Sequence, residues 1–210
     1  MATYNIVVTQ ENDGTNHFYY NTVGTTTFTE VSIPSGVTSL NRRPDKAEYR
    51  KRHYLVGPFS ANIVFIDDDQ SLVKAGINAP SSAATAALGG AGVVLGDVIY
   101  YLTYRHKVSG TLIHESSGGP ASNQVSATNQ SVDLSGIPAT APSDSRVTHV
   151  GIYRSTDGAD PRFVDEVTLG TTTFNDNVAT GALGGVMPTN NGVPPASRFI
   201  FSYHDRMWYA

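Results

Sequence analysis

Val98-Ile99-Tyr100-Tyr101-Leu102-Thr103-Tyr104-Arg105-His106-Lys107 is the stretch that decides the architecture. Side chains of a strand alternate between faces, so Val98, Tyr100, Leu102 and Tyr104 share one apolar face. Ile99 and Tyr101 make the other face apolar near its start. Aromatic and β-branched residues suit a pleated surface, and the run predicts one long strand. Downstream, residues 124–127 and 131–134 read as short strands, with 116–120 a loop and 137–144 an irregular, proline-containing connection. Residues 147–154 and 162–167 then form two strands joined at Asp157-Gly158, a strong hairpin signal. Strands at such short spacing with turn chemistry between them predict an immunoglobulin-like or fibronectin-III-like β-sandwich over about 93–177. The Cys pair and core Trp of antibody domains are missing, which favours the fibronectin-III-like variant.

Working outward, the predicted sandwich closes on Thr168-Leu169-Gly170-Thr171-Thr172-Thr173-Phe174. Residues 22–28 repeat it as Thr22-Val23-Gly24-Thr25-Thr26-Thr27-Phe28, with one Val/Leu exchange. Each copy precedes a proline-bearing loop (Pro34 and Pro44; Pro188, Pro194 and Pro195). A run with Arg before large apolar residues follows: Arg52-His53-Tyr54-Leu55-Val56 and Arg206-Met207-Trp208-Tyr209-Ala210. One β-rich design is used twice, with a module between the copies. The first copy has no sandwich before it, so its partner strands are expected from residues 1–20 or from another subunit.

The whole chain then reads as all-β. Residues 1–77 form an N-terminal β-rich segment, with a hairpin 4–8/17–20 around Asn12-Asp13-Gly14 and a strand pair 49–56/61–66 around Gly57-Pro58. Residues 78–92 read as an Ala/Gly/Ser linker. Residues 178–210 are a Pro/Gly loop and a C-terminal hairpin, in which 199–201 pairs with 207–209 around a turn at 203–205. The flanking hairpins are expected to form a second small β-rich lobe. Phe199, Phe201, Met207, Trp208 and Tyr209 make the last hairpin a candidate inter-subunit strand, because so apolar a strand calls for a neighbour to cover it.

Composition agrees with strands joined by turns. The 210 residues include 20 Gly, 11 Pro and 11 Tyr, and 15% are charged, against roughly 25% in an average globular domain. No cysteine is present, which excludes disulfides, thiolate metal sites and Cys nucleophiles. No signal-peptide pattern opens the chain and no membrane span is predicted, so synthesis in a cytoplasm is expected. The net charge of -4 implies no global attraction to nucleic acid. Six of the 14 basic residues nevertheless cluster at Arg42, Arg43, Lys46, Arg50, Lys51 and Arg52. Two readings stand: a solvated loop and edge strand that discourages aggregation, or a face that meets an acidic protein surface or DNA. Protein is the better functional partner, since single-stranded nucleic acid would want interleaved aromatic platforms and only Tyr49, His53 and Tyr54 qualify.

No motif carries an enzyme. Gly89-Gly90-Ala91-Gly92-Val93-Val94-Leu95-Gly96 lacks the third glycine of a dinucleotide loop at Leu95 and follows no predicted strand. Asp67 and Asp69 start like a calcium loop, but Leu72 and Asn78 stand where Gly and Glu are needed. The six histidines never occur as H-x-H or H-E-x-x-H, and Ser109-Gly110 is no nucleophile elbow. Asp165 and Glu166 are strand neighbours that point to opposite faces. No catalytic residue, metal or cofactor is expected.

Several segments together resemble a sandwich module of tailed-bacteriophage virion proteins. They are Tyr100-Tyr101-Leu102-Thr103-Tyr104, Glu115-Ser116-Ser117-Gly118-Gly119-Pro120-Ala121-Ser122-Asn123, and Val132-Asp133-Leu134-Ser135-Gly136-Ile137-Pro138. The continuation from Gly151-Ile152-Tyr153-Arg154-Ser155-Thr156-Asp157-Gly158 to Phe163-Val164 belongs with them. In that family the module ends in a Thr-rich strand, here Thr171-Thr172-Thr173-Phe174-Asn175-Asp176. A Leu-Gly segment and a Pro-Pro loop follow, then a strand similar to His-x-Arg-x-Trp-x-Ala, here His204 to Ala210. The resemblance covers about 90–210 and its motifs are structural. It implies a tail, neck or nozzle building block in the virion, assembled as a ring of copies around the tail axis beside other virion proteins. The alternative is a carbohydrate- or receptor-binding β-sandwich. Such sites present exposed aromatic platforms, and Trp208, the only tryptophan, is predicted inside a strand.

Overall fold

A computed structural model describes residues 4–10, 16–34, 37–38, 45–49, 52–57, 60–66, 71–141, 144–204 and 206–210. Among the described residues the fold is nearly all β, with one short 3-10 turn at Thr180–Ala182. Antiparallel, curled sheets bear out the all-β, sandwich-like expectation. The chain divides into two compact units, one built from 1–75 and 193–210, the other from 76–192.

In the first unit, β1 (Tyr4–Gln10), β2 (Asn16–Thr22) and β3 (Thr29–Val31) form a three-stranded antiparallel sheet. The strand that follows the first heptapeptide copy, β3, therefore finds its partner within the chain, in β2, with Phe18 opposite Val31. The turn at 12–14 lies outside the described residues. β4 (Asp45–Tyr49), β5 (Arg52–Val56), β6 (Ile63–Ile66) and β7 (Ser71–Lys74) make a four-stranded meander. Its side chains sort by the period of two: Leu55, Ile63 and Leu72 pack with Phe18, while Val64 packs with Tyr54, Val73 and Ala75. β4 and β7 carry too few apolar residues to stand out in the sequence.

The second unit is one long ribbon folded over itself. β8 (Thr85–Val108) turns at Ser109-Gly110, both with positive φ, and returns as β9 (Thr111–Glu115) and β10 (Val125–Ser135). Between β9 and β10 the predicted loop has no strand of its own, yet it runs along β8. Ser116, Gly119 and Ser122 donate their N–H groups to the carbonyls of Tyr104, Leu102 and Tyr100 at 2.9, 2.8 and 2.8 Å. The hydroxyls of Ser116 and Ser122 accept from the N–H groups of Tyr104 and Tyr100, each at 2.9 Å. Serine side chains thus stand in for the strand carbonyls that this Gly/Pro segment does not present.

On the other edge of β8, residues 98–105 pair with β11 (His149–Thr156), which pairs with β12 (Arg162–Thr168). β13 (Thr173–Asp176) pairs with the free edge of β10. All six strands therefore belong to one sheet, in the order β12-β11-β8-β10-β13 with β9 also on β8, and irregular register bends it: Val125 to Ser135 lies against the longer stretch Val98 to Thr85, with shifts near Gln130. Extra residues on one strand sharpen twist and bend. The inner faces meet over Val94, Val98, Tyr100, Leu102, Tyr104, Val132, Leu134, Val150 and Ile152, with Ile77 and Ile137 added from outside the strands.

Two expected boundaries change. Residues 85–92, read as linker, are the first third of β8. Glycine and alanine hid the alternation, and the glycines are there for space. A Cβ on Gly89 would strike the Ser131 hydroxyl, and one on Gly92 would fall against the Ser131 backbone nitrogen and 2.6 Å from Asn177 Oδ1. Residues 178–192, read as a loop leading to the last hairpin, belong to the second unit. Phe163 N–H donates to Gly185 C=O at 2.9 Å, Gly184 N–H to Phe163 C=O at 2.7 Å, and Asn191 N–H to Ser117 Oγ at 3.0 Å, so this strap extends the edge of β12.

Candidate functional site

The C-terminal hairpin belongs to the first unit and is the surface the sequence singled out. β14 (Ile200–Tyr203) and β15 (Arg206–Tyr209) pair with Phe201 opposite Trp208 and Tyr203 opposite Arg206. Alternation places Ile200, Met207 and Tyr209 on the inner face. Ile200 is buried, and Met207 and Tyr209 are half-buried. Burial, with the nearby Tyr54, pushes the Tyr209 phenol up to about 12. Two buried or half-buried polar anchors fix the hairpin to the meander. Asn62, 2% exposed, donates to Pro195 C=O at 2.7 Å and accepts from Ser197 N–H at 3.0 Å, and Asp45 Oδ2 accepts from Ile200 N–H at 2.9 Å. Asn62 had no signal in the sequence beyond standing before an apolar strand.

The outer face is aromatic. Phe199, Phe201, Tyr203 and Trp208 are 54%, 52%, 60% and 47% exposed. Phe201 and Trp208 stack with ring centroids 6.3 Å apart and planes 9° from parallel. The Arg198 guanidinium lies 5.3 Å from the Phe199 ring centroid. Membership of a strand was expected to hide Trp208. It does not, because Trp208 has the outward parity and its strand covers the meander with only the opposite face. Of the five apolar residues expected at an inter-subunit contact, Phe199, Phe201 and Trp208 are presented outward, while Met207 and Tyr209 support them from within.

Of the basic cluster, two members are among the described residues. Arg42, Arg43, Arg50 and Lys51 lie outside the described residues. Lys46 is exposed on β4 and Arg52 is half-buried on β5. Tyr49 pairs with Arg52 and Leu55 with Lys46, and Tyr49 stands three positions after Lys46, an odd step, so the two cations occupy opposite faces of the β4–β5 pair.

The second unit holds two polar clusters. Inside, Arg154 Nη1 donates to Asp176 Oδ2 at 2.6 Å with both side chains fully buried. Tyr100 Oη donates to the same oxygen at 2.7 Å, and Arg154 Nη2 donates to Val178 C=O at 2.9 Å. Burial, then the Asp176 charge, pushes the Tyr100 phenol far up. Outside, Arg105 bridges Glu166 at 2.6 Å and Glu115 at 3.3 Å, and Lys107 also pairs with Glu166. Burial raises the Glu166 carboxyl, but the Lys107 hydrogen bond and the charges of Arg105, Lys107 and His149 outweigh it and hold the group low. Glu115 Oε1 accepts from Thr103 Oγ1 at 2.7 Å and from Tyr153 Oη at 2.8 Å. Every carboxylate here is engaged by donors from its own fold, which is the arrangement of a brace.

Among the described residues no group of three or more His, Asp or Glu is placed to hold a metal ion, and no helix is long and apolar enough to cross a membrane. No protein-family model matches the chain, and no curated protein matches it.

Proposed function

We propose that this chain is a non-enzymatic structural component of a tailed-bacteriophage virion, associated with the tail, neck or nozzle and present in several copies around the tail axis. One observation carries the reading: within the second unit, the residues behind the phage resemblance that make side-chain contacts include several fold-building parts. Tyr100, Leu102 and Tyr104 fill the core, Asp176 closes the buried ion pair, and Ser116 and Ser122 complete the ladder of β8. Asn123 accepts from Ala86 N–H at 2.9 Å and donates to Ala86 C=O at 2.8 Å, pinning the start of the long strand. A motif spent on architecture suits a part selected for its shape. The outward aromatic face of the last hairpin then serves assembly with neighbouring copies or other virion proteins, and the basic stretch at 42–52 meets a protein surface or DNA. Electron microscopy and peptide mass spectrometry of purified particles test this. A symmetric ring containing the chain is expected, and a monomer absent from virions sinks the reading.

The stacked, exposed Trp208 and Phe201 support a second reading, a carbohydrate- or receptor-binding module, since flat aromatic rings are the usual platform for sugars. Saturable binding on a glycan array or to host cells, lost on Trp208→Ala, would favour it over the structural one.

A further inference from the structure

The β14–β15 hairpin bears on how a second copy attaches, independently of the virion reading. Phe199 and Ala210 exchange both backbone hydrogen bonds, at 2.8 and 3.0 Å. Bonded and non-bonded positions alternate along an antiparallel pair. With Phe201 opposite Trp208 and Tyr203 opposite Arg206, the amides of Arg206, Trp208 and Ala210 turn toward β14. Those of Met207 and Tyr209 turn away, along the outer edge of β15. Among the described residues β15 pairs with β14 alone. Over its four residues this edge has no proline and no shift of register, and its one charge, Arg206, stands at the far end from Tyr209.

We propose that β15 pairs antiparallel with β15 of a second copy about a two-fold axis at Trp208, joining two hairpins into a four-stranded sheet. A two-stranded ribbon is marginal in water, and further strands stabilise it. The strand is self-complementary in this register. Met207 of each copy faces Tyr209 of the other, so the outward N–H and C=O groups of both residues are satisfied. Trp208 meets Trp208 of the second copy at a non-bonded position, where opposed side chains are closest, and each stays stacked on its own Phe201. The two Arg206 side chains fall at opposite ends, out of reach of one another. An isologous contact of this kind joins copies in pairs, and it adds to the head-to-tail interface of a ring without replacing it.

Trp208 is the only tryptophan, so its emission reports this contact directly. Sedimentation of the full chain over a dilution series should show a dimer that dissociates, with Trp208 emission moving to longer wavelength as the ring becomes hydrated. Met207→Pro removes an outward N–H while sparing the bonds to β14, and should weaken the dimer about tenfold or more. Trp208→Asp, at an exposed position, sets two like charges face to face at the axis and should leave only monomer, whereas Trp208→Phe keeps the dimer. A monomer at every concentration, or a dimer indifferent to both Met207→Pro and Trp208→Asp, overturns the proposal. Particle composition is read separately: a dimer missing from virions sinks the virion reading alone, and a virion protein that never dimerises sinks this inference alone.

Discussion

Arg154 on β11 and Asp176 at the end of β13 meet at 2.6 Å with neither side chain reaching solvent. The pair ties β11 to β13, which lie on opposite sides of β8 in the sheet order, and the Tyr100 hydroxyl joins it from β8. Two charges taken out of water are held only by one another and by fixed polar groups, so each is costly without its partner.

Asp176→Asn is accordingly expected to destabilise the second unit by about 3–5 kcal/mol, because the Arg154 charge would stay buried and unpaired. Replacing both members, Arg154→Met with Asp176→Leu, should recover much of that loss. Urea unfolding followed by circular dichroism measures both. Equal losses for the single and double variants would show that the pair does not act as a unit.

Alkaline pH should unfold the second unit earlier than surface tyrosines alone would dictate. Burial raises the phenols of Tyr100, Tyr104 and Tyr153. Above about pH 10 the unfolded chain's tyrosines ionise while the folded ones keep their protons. The native state then binds more protons, so stability is full below about pH 10 and falls as pH rises toward the folded values. Tyr153→Phe should flatten that fall, as read from unfolding midpoints across the alkaline range.

On the acid side the sign reverses. The Glu166 carboxyl is held low, so its contribution is present above the ordinary glutamate value of about 4.3 and is lost as pH drops below it. Glu166→Gln should lower stability at neutral pH and show a smaller further loss on acidification than the parent chain.

Ser116→Ala and Ser122→Ala should each cost about 1–3 kcal/mol, since the buried N–H groups of Tyr104 and Tyr100 would lose their acceptors. Hydrogen exchange at those two amides should quicken, and unchanged protection there would assign the serines a lesser part.

How much of this was visible in the sequence follows residue chemistry. Val98, Tyr100, Leu102 and Tyr104 were legible as one buried face because their alternation is strict and their side chains are large. Residues 85–92 were not, because Ala and Gly carry no alternating signal and the reason for Gly89 and Gly92 lies across the sheet, at Ser131 and Asn177. Trp208 was legible as a strand residue and not as an exposed one, since a hairpin has two faces and only its anchors at Asn62 and Asp45 choose between them. The basic residues Lys46 and Arg52 are close in sequence, yet strand parity sends them to opposite faces.

The repeated heptapeptide separates what local chemistry decides from what packing decides. By itself the sequence determined the turn. Thr25 N–H reaches Thr22 C=O and Thr171 N–H reaches Thr168 C=O, each at 3.0 Å, with Gly24 and Gly170 at φ of +95° and +106°. Glycine tolerates positive φ where other residues are strained, so the same residues bend the chain identically wherever they stand. Only the tertiary structure decided where the chain went next. After the first turn β3 folds back on β2 and Phe28 is left exposed, whereas after the second β13 leaves β12, pairs with β10 and packs Phe174 against the core. The physical reason is that a turn closes with its own hydrogen bond, but a strand needs an open edge and an apolar face to cover, and those were supplied in each unit by residues far away in the chain.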